Sequence, residues 1–99
     1  MKSYILKKSK RRDKKWQITT PENKTIHFGA DGYSDYTIHK DRERMLRYNN
    51  RHKKNENWNK SGINTAGFWA KWILWNKPSL LSSIKDTEKR FKIKIVKQK

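Results

Sequence analysis

Apolar and polar positions alternate along the segment KKWQITTPENKTIHFG, residues 14–29. Trp16 and Ile18 fall on one arm of this segment, and Ile26 and Phe28 fall on the other. Alternation with a period of two is typical of a strand that buries one face, and the intervening PENK supplies turn chemistry. The segment is therefore predicted to form a β-hairpin.

Two further segments show the same alternation near the ends of the chain. SYILK, residues 3–7, is expected to add a third strand through the basic connection that follows it. Phe91, Ile93 and Ile95 alternate with lysines and predict a carboxy-terminal strand that joins the same sheet.

Helical periodicity predicts a first helix over residues 41–52, rich in helix-forming residues. Met45 and Tyr48 form a narrow apolar stripe, and Ile38 is expected to extend it by one turn. Charged residues surround that stripe.

A second helix is predicted over residues 65–76, in the aromatic-rich part of the chain. Its apolar positions are Phe68, Trp69, Trp72, Ile73 and Trp75. A helix that is apolar around most of its circumference is buried on more than one side. We therefore expect most of these rings to be core, with one edge ring, Trp69 or Trp75, exposed as an aromatic contact for a partner.

Pro78 ends that helix and precedes a third, SLLSSIKDTEKRF. Leu80, Leu81, Ile84 and Phe91 are expected to share one face of it. Together these elements predict a small single α+β domain: an amino-terminal antiparallel hairpin or meander, two or three helices and a carboxy-terminal strand. Its expected divisions are a basic arm or edge strand at 1–15, the α+β domain at 16–96 and a basic tail at 97–99.

Charge adds the main functional signal. The 99 residues contain 26 Lys and Arg against 9 Asp and Glu, a net charge of +17, so the chain is expected to bind polyanions or acidic protein surfaces. Arg44, Arg47 and Arg51 are spaced so as to share a helix face. The expected contacts are Lys7, Lys8, Lys10, Arg11, Arg12, Lys14, Lys15, Arg42, Arg44, Arg47, Arg51, Lys53 and Lys54.

Other chemistries find little support in the chain. No cysteine is present, and His27, His39 and His52 are too far apart in sequence to suggest a metal site. Neither a strained nucleophile elbow nor a phosphate-binding glycine motif occurs. We therefore expect no enzyme activity, no cofactor, no small-molecule substrate and no membrane span.

The ordered motifs GYSDYT, HKD, WNKSGINTAGFW and WNKPSL resemble a family of small uncharacterised proteins encoded by giant nucleocytoplasmic large DNA viruses. The resemblance covers roughly residues 16–95. It implies a viral protein located in the virion, and in the host cytoplasm or nucleus during infection.

Two functions follow as hypotheses. The first is a small basic structural protein of the virus particle, a minor capsid or internal component, whose basic face and arms bind acidic surfaces of other virion proteins. The alternative is a viral protein that binds DNA or RNA without sequence specificity, because no base-reading motif is evident.

Overall fold

The sheet is built from both ends of the chain in a computed structural model that describes residues 2–98. Its four strands lie in the order β3-β2-β1-β4, with bounds β1 Ser3–Lys8, β2 Lys14–Thr19, β3 Thr25–Ala30 and β4 Lys94–Lys97. The pairs β1–β2 and β2–β3 are antiparallel, and β4 runs parallel to β1. The predicted α+β class, the three amino-terminal strands and the carboxy-terminal strand are confirmed.

The prediction of an arm or edge strand over residues 1–15 is wrong. Residues 3–8 form the strand β1, which lies between β2 and β4. Its alternation buries Tyr4 and Leu6 against the helices, so the segment is needed inside the sheet. At the other end, Lys97 belongs to β4, while Met1 and Lys99 lie outside the described residues.

The helices pack on one face of this sheet. They are α1 Tyr36–His39, α2 Arg42–His52, α3 Ala66–Trp69, which continues as a π-helical segment Ala70–Leu74, and α4 Leu80–Phe91. Each of the four α-helices begins behind a side chain that accepts a backbone N–H of its first turn, which satisfies part of the open helix end. These caps are Asp35, Asp41, Thr65 and Ser79.

The core lies between the sheet and the aromatic-rich segment. Leu6, Ile18 and Phe28 of the sheet are almost completely buried, as are Phe68, Trp69, Ile73 and Leu74 opposite them. The indole N–H of Trp69 donates to the carbonyl oxygen of Ile63 at 2.7 Å, so this ring is buried without an unpaired donor.

The π-helical segment changes which rings are buried. The Trp75 N–H donates to the carbonyls of both Ala70 and Lys71, at 3.2 Å each, which marks a wider turn than that of an α-helix. That turn shifts the angular phase of the residues after Trp69. Trp72 and Trp75 are consequently half-buried at the edge of the core rather than central to it.

Two apolar residues fall outside their predicted stripes. Ile38 is exposed because α1 ends at His39, and Lys40, with φ 57°, turns the chain before α2 begins. Leu81 is exposed on the outer side of α4. Phe91 belongs to α4 rather than to the last strand, since Lys92, with φ 55°, ends the helix before β4.

None of the helices within residues 2–98 has both the length and the apolar character needed to cross a bilayer.

Candidate functional site

Two cavities, of about 820 and about 500 Å³, adjoin on the surface, and together we call them the basic groove. They share Lys14, Lys15, Tyr33 and Asp35 as lining residues. Seven cations line the groove: Lys8, Arg11, Arg12, Lys14, Lys15, Arg44 and Arg51. The fold therefore brings the basic turn between β1 and β2, with its adjoining strand ends, and the basic helix α2 to one depression.

Hydrogen bonds between two loops shape the first cavity. The Asp31 N–H donates to the carbonyl oxygen of Asp13 at 3.0 Å, which ties the loop after β3 to the turn between β1 and β2. The Arg11 guanidinium donates to both oxygens of the Asp13 carboxylate, at 3.2 and 3.0 Å. These hydrogen bonds lower the pKa of the Asp13 carboxyl. Arg11 is therefore partly neutralised, although its side chain remains 56% exposed.

An ion pair lies where the two cavities meet. The Lys15 ammonium is 2.6 Å from the Asp35 carboxylate, whose side chain is 2% exposed. Asp35 also accepts the backbone N–H of Thr37 at 2.9 Å and thereby caps α1. Lys15, predicted as a partner contact, is instead committed to a structural ion pair, because a buried carboxylate requires a nearby cation.

Most of the other cations in the groove are free. Within residues 2–98, no carboxylate forms an ion pair with any of five of them: Lys8, Arg12, Lys14, Arg44 and Arg51. Of the three carboxylates that line the groove, Asp35 pairs with Lys15, and Glu56 lies 3.4 Å from His52 Nδ1. Asp31 is the third carboxylate. Because the cations that line the groove outnumber these carboxylates, the groove has an excess of positive charge.

The remaining predicted contacts lie elsewhere. Neither cavity counts Lys7, Lys10, Arg42, Arg47, Lys53 or Lys54 among its described lining residues. Arg44 and Arg51 are about 20° apart around the helix axis, whereas Arg47 is about 60° from Arg44 at 3.6 residues per turn. The predicted shared face therefore holds for Arg44 and Arg51 but does not bring Arg47 into the groove.

Stacked rings form part of the second cavity's wall. The Tyr48 and Trp75 rings are 4.0 Å apart and inclined by 3°, and the His52 ring stacks on Tyr48 at 4.1 Å. Burial, followed by the charge of Glu56, raises the pKa of Tyr48 to about 12. One face of the Trp75 indole is covered by the ring of Tyr48.

Of Trp69 and Trp75, one of which was predicted to be an exposed aromatic contact, Trp69 does not fill that role. Trp69 is completely buried because the sheet and Phe68 surround it, so the prediction for this ring is wrong. Trp75 is half-buried and stacked on Tyr48. The exposed ring is Tyr33, with 73% of its surface accessible, and it lines both cavities. Its signal in the sequence was an aromatic residue inside the turn ADGYSD, outside any apolar pattern.

His39 lies behind the ring stack, with its ring 5.5 Å from that of Trp75. Its Nδ1 accepts the Asp41 N–H at 2.9 Å, and its buried Nε2 has no hydrogen-bond partner among the described residues. Burial, followed by the charge of Arg44, lowers the pKa of His39. His39 is therefore held in its neutral form near pH 7.

Metal-binding geometry is not evident in the part of the chain that is described. Within residues 2–98, no three His, Asp or Glu side chains gather as a set that could hold a metal ion.

Fold and groove together define a small, strongly basic α+β protein with a cationic groove. Over residues 4–52 the chain is similar to a protein family described as "Family of unknown function (DUF5754)". The matched range contains all of β1 except Ser3, together with β2, β3, α1 and α2, and with them all the groove cations and Tyr33. A search of the curated proteins found no match to the chain, and neither did a search of the solved structures.

Proposed function

We propose that this protein binds nucleic acid without sequence specificity, through the basic groove. The observation that carries the proposal is the convergence on one depression of five cations that form no ion pair within residues 2–98. They come from two separate segments, the β1–β2 turn with its adjoining strand ends and α2. Such a concentration of positive charge is costly to maintain unless a polyanion neutralises it.

The chemistry of these cations suits phosphate. Arg12, Arg44 and Arg51 offer planar guanidinium groups that can donate two parallel hydrogen bonds to one phosphate. Lys8 and Lys14 contribute point charges along the same depression. Contacts of this kind hold a nucleic acid in place without reading its bases. In this proposal the chain is a binding protein that needs no cofactor.

The test measures fluorescence anisotropy of a labelled oligonucleotide from about 50 to about 200 mM salt, the range over which phosphate contacts weaken strongly. We expect the logarithm of the affinity to fall linearly with the logarithm of the salt concentration. Arg44→Glu combined with Arg51→Glu should flatten this slope by about two, because each lost phosphate contact removes about one.

The matched control is Arg42→Glu combined with Arg47→Glu. It makes the same change of net charge on the same helix, but at positions outside the groove. We expect it to weaken binding much less than the groove variant does. Equal losses for the two double variants would show that binding follows net charge alone, and salt-independent affinity would refute the proposal.

A second candidate is a structural protein of a large DNA virus particle, a minor capsid or internal component that binds acidic surfaces of other virion proteins. The resemblance in the sequence motifs suggests this role and a location in the virion, or in the host cytoplasm or nucleus during infection. Leu46 and Leu81 favour it, because these leucines are 50% and 62% exposed and neither lines the groove. Apolar side chains outside the groove suit a protein partner better than a phosphate chain.

Particle composition tests the second candidate. We expect the chain in purified virions at a fixed ratio to capsid protein, with chemical cross-links from its lysines to acidic segments of neighbours. Its absence from particles that retain their genome and capsid would exclude this role.

A further inference from the structure

We infer that the basic groove takes a single strand of nucleic acid, with one base stacked on the ring of Tyr33. This inference rests on the proposed nucleic-acid binding and names the form of the ligand. Its basis is the placement of an exposed aromatic ring at the junction of two cationic cavities.

The position of Tyr33 is defined by its backbone. The Tyr33 N–H donates to the carbonyl oxygen of Ala30 at 3.4 Å, and Gly32, with φ 85°, completes this turn. The Asp31 N–H holds the same turn against the β1–β2 connection through Asp13. These two hydrogen bonds fix the turn that carries Tyr33, and 73% of the surface of this residue is exposed.

The packing of residues 2–98 does not require an exposed ring at this place. An exposed tyrosine gains no burial energy, and Tyr33 is absent from the hydrophobic core cluster. The groove contains a second exposed apolar side chain, Ile38, which is 59% accessible, and the half-buried ring of Trp16. Cations interleaved with exposed apolar and aromatic groups form the kind of surface that single-stranded nucleic acids bind.

Duplex DNA can contact the cations of such a surface but not its exposed aromatic ring. Its bases stack on one another, so their faces are covered and a ring in the groove finds no partner. A single strand offers each base face, and its flexible backbone can follow the two cavities past Lys14, which lines both. An acidic polypeptide would meet the same cations but brings no regular array of flat rings.

The experiment compares four probes of equal length with the full chain by anisotropy at one salt concentration. They are single-stranded oligothymidylate, the same strand in duplex form, an abasic phosphodiester strand and polyglutamate. We expect oligothymidylate to bind roughly 5- to 150-fold more tightly than the abasic strand, which corresponds to the stacking energy of about 1–3 kcal/mol for one base on an aromatic ring. The other three probes should bind more weakly than oligothymidylate.

Tyr33→Ala should remove this advantage while leaving affinity for the abasic strand and its salt dependence unchanged. Tyr33→Phe should keep the advantage, because the ring remains. Leu81→Ala is the control for loss of an exposed apolar side chain outside the groove, and it should bind as the wild type does. Because Tyr33 is exposed, its variants are expected to fold, which thermal melting verifies.

Equal affinity for oligothymidylate and the abasic strand, with a steep salt slope, would overturn the stacking inference and leave groove binding to phosphate intact. Tighter binding of polyglutamate than of oligothymidylate would overturn it in favour of an acidic protein partner. Absence of salt-dependent binding to every probe would refute both this inference and the proposed function.

Discussion

The Lys15 ammonium lies 2.6 Å from the carboxylate of Asp35, and both groups are withdrawn from solvent. This contact joins β2 to the start of α1 and lies where the two cavities of the groove meet. Because it joins residues of opposite charge in a poorly hydrated place, removing one partner leaves the other without compensation.

We expect Lys15→Met to destabilise the fold by about 3 kcal/mol, because loss of one member of a buried pair strands the other charge. Urea unfolding measures the change in the free energy of unfolding. Lys54→Met, at an exposed position, serves as the control and should fall within about 0.5 kcal/mol of wild type.

The double variant Lys15→Met with Asp35→Asn should recover part of the loss, since it removes both charges. A loss in Lys15→Met no larger than that in Lys54→Met would show that the ion pair does not stabilise the fold.

Two glycines with positive φ allow the cost of backbone strain to be measured separately from the cost of overpacking. Gly29 and Gly32 have φ of 79° and 85°, but a β-carbon at Gly29 would lie 2.7 Å from Cδ1 of Leu74, whereas one at Gly32 would meet no atom within 4 Å. Gly32→Ala is expected to cost about 1–2 kcal/mol, from backbone conformation alone. Gly29→Ala should cost about 1–3 kcal/mol more, through overpacking.

Urea titrations of both glycine variants provide the comparison. Equal losses of stability would indicate that Leu74 moves aside freely and that the contact is not tight.

His39 is expected to make stability depend on pH. Burial and Arg44 lower its pKa, and the carboxylates of Asp41 and Asp35 only partly oppose this, while Lys15 adds to it. The neutral ring is therefore favoured in the fold. The contribution of the neutral His39 ring to stability is complete above pH 6.5, the ordinary pKa of histidine. It is lost as the pH falls through the lowered pKa of His39 in the folded state.

Urea unfolding between about pH 8 and about pH 5, where histidine titrates, measures this loss. His39→Gln should remove that part of the pH slope, and Arg44→Met should reduce it, because one of the charges that lower the pKa is gone. Identical slopes in the wild type and in His39→Gln would contradict this account.

Among the tryptophans, Trp69 should matter most for stability. It is completely buried, and replacement by alanine is expected to cost about 3–5 kcal/mol, comparable with the whole stability of a small domain. Trp72→Ala should cost less, since that ring is half-buried.

Circular dichroism melting ranks these variants, and Trp69→Phe, which keeps a ring but loses the hydrogen bond to Ile63, should lie between Trp69→Ala and wild type. A larger loss in Trp72→Ala than in Trp69→Ala would place the centre of the core at Trp72 instead.

Local patterns predicted the elements of this fold well. The alternation that contains Ile18, Ile26 and Phe28 corresponds to β2 and β3, and all three side chains are buried. Helix α2 begins and ends within one residue of its predicted range. These features depend on neighbours in sequence, which is why they can be read from the chain.

The features that were not predicted depend on contacts between residues distant in sequence or on details of the backbone. The π-helical turn that leaves Trp72 at the edge of the core has no distinct residue pattern. Lys15 looks like any other lysine of its basic segment until the fold places Asp35 beside it. Tyr33 becomes a candidate contact only because the fold places α2 and the β1–β2 turn on either side of the same depression.

The parallel pairing of β4 with β1 has a consequence for how the protein is made. Ser3 lies opposite Lys94 and Leu6 opposite Lys97, so the first strand gains its second neighbour only after residue 97 has left the ribosome. Closing so long a loop is slow compared with forming the hairpins. Until then one edge of the nascent sheet stays open, and a chaperone or a second nascent chain could occupy it.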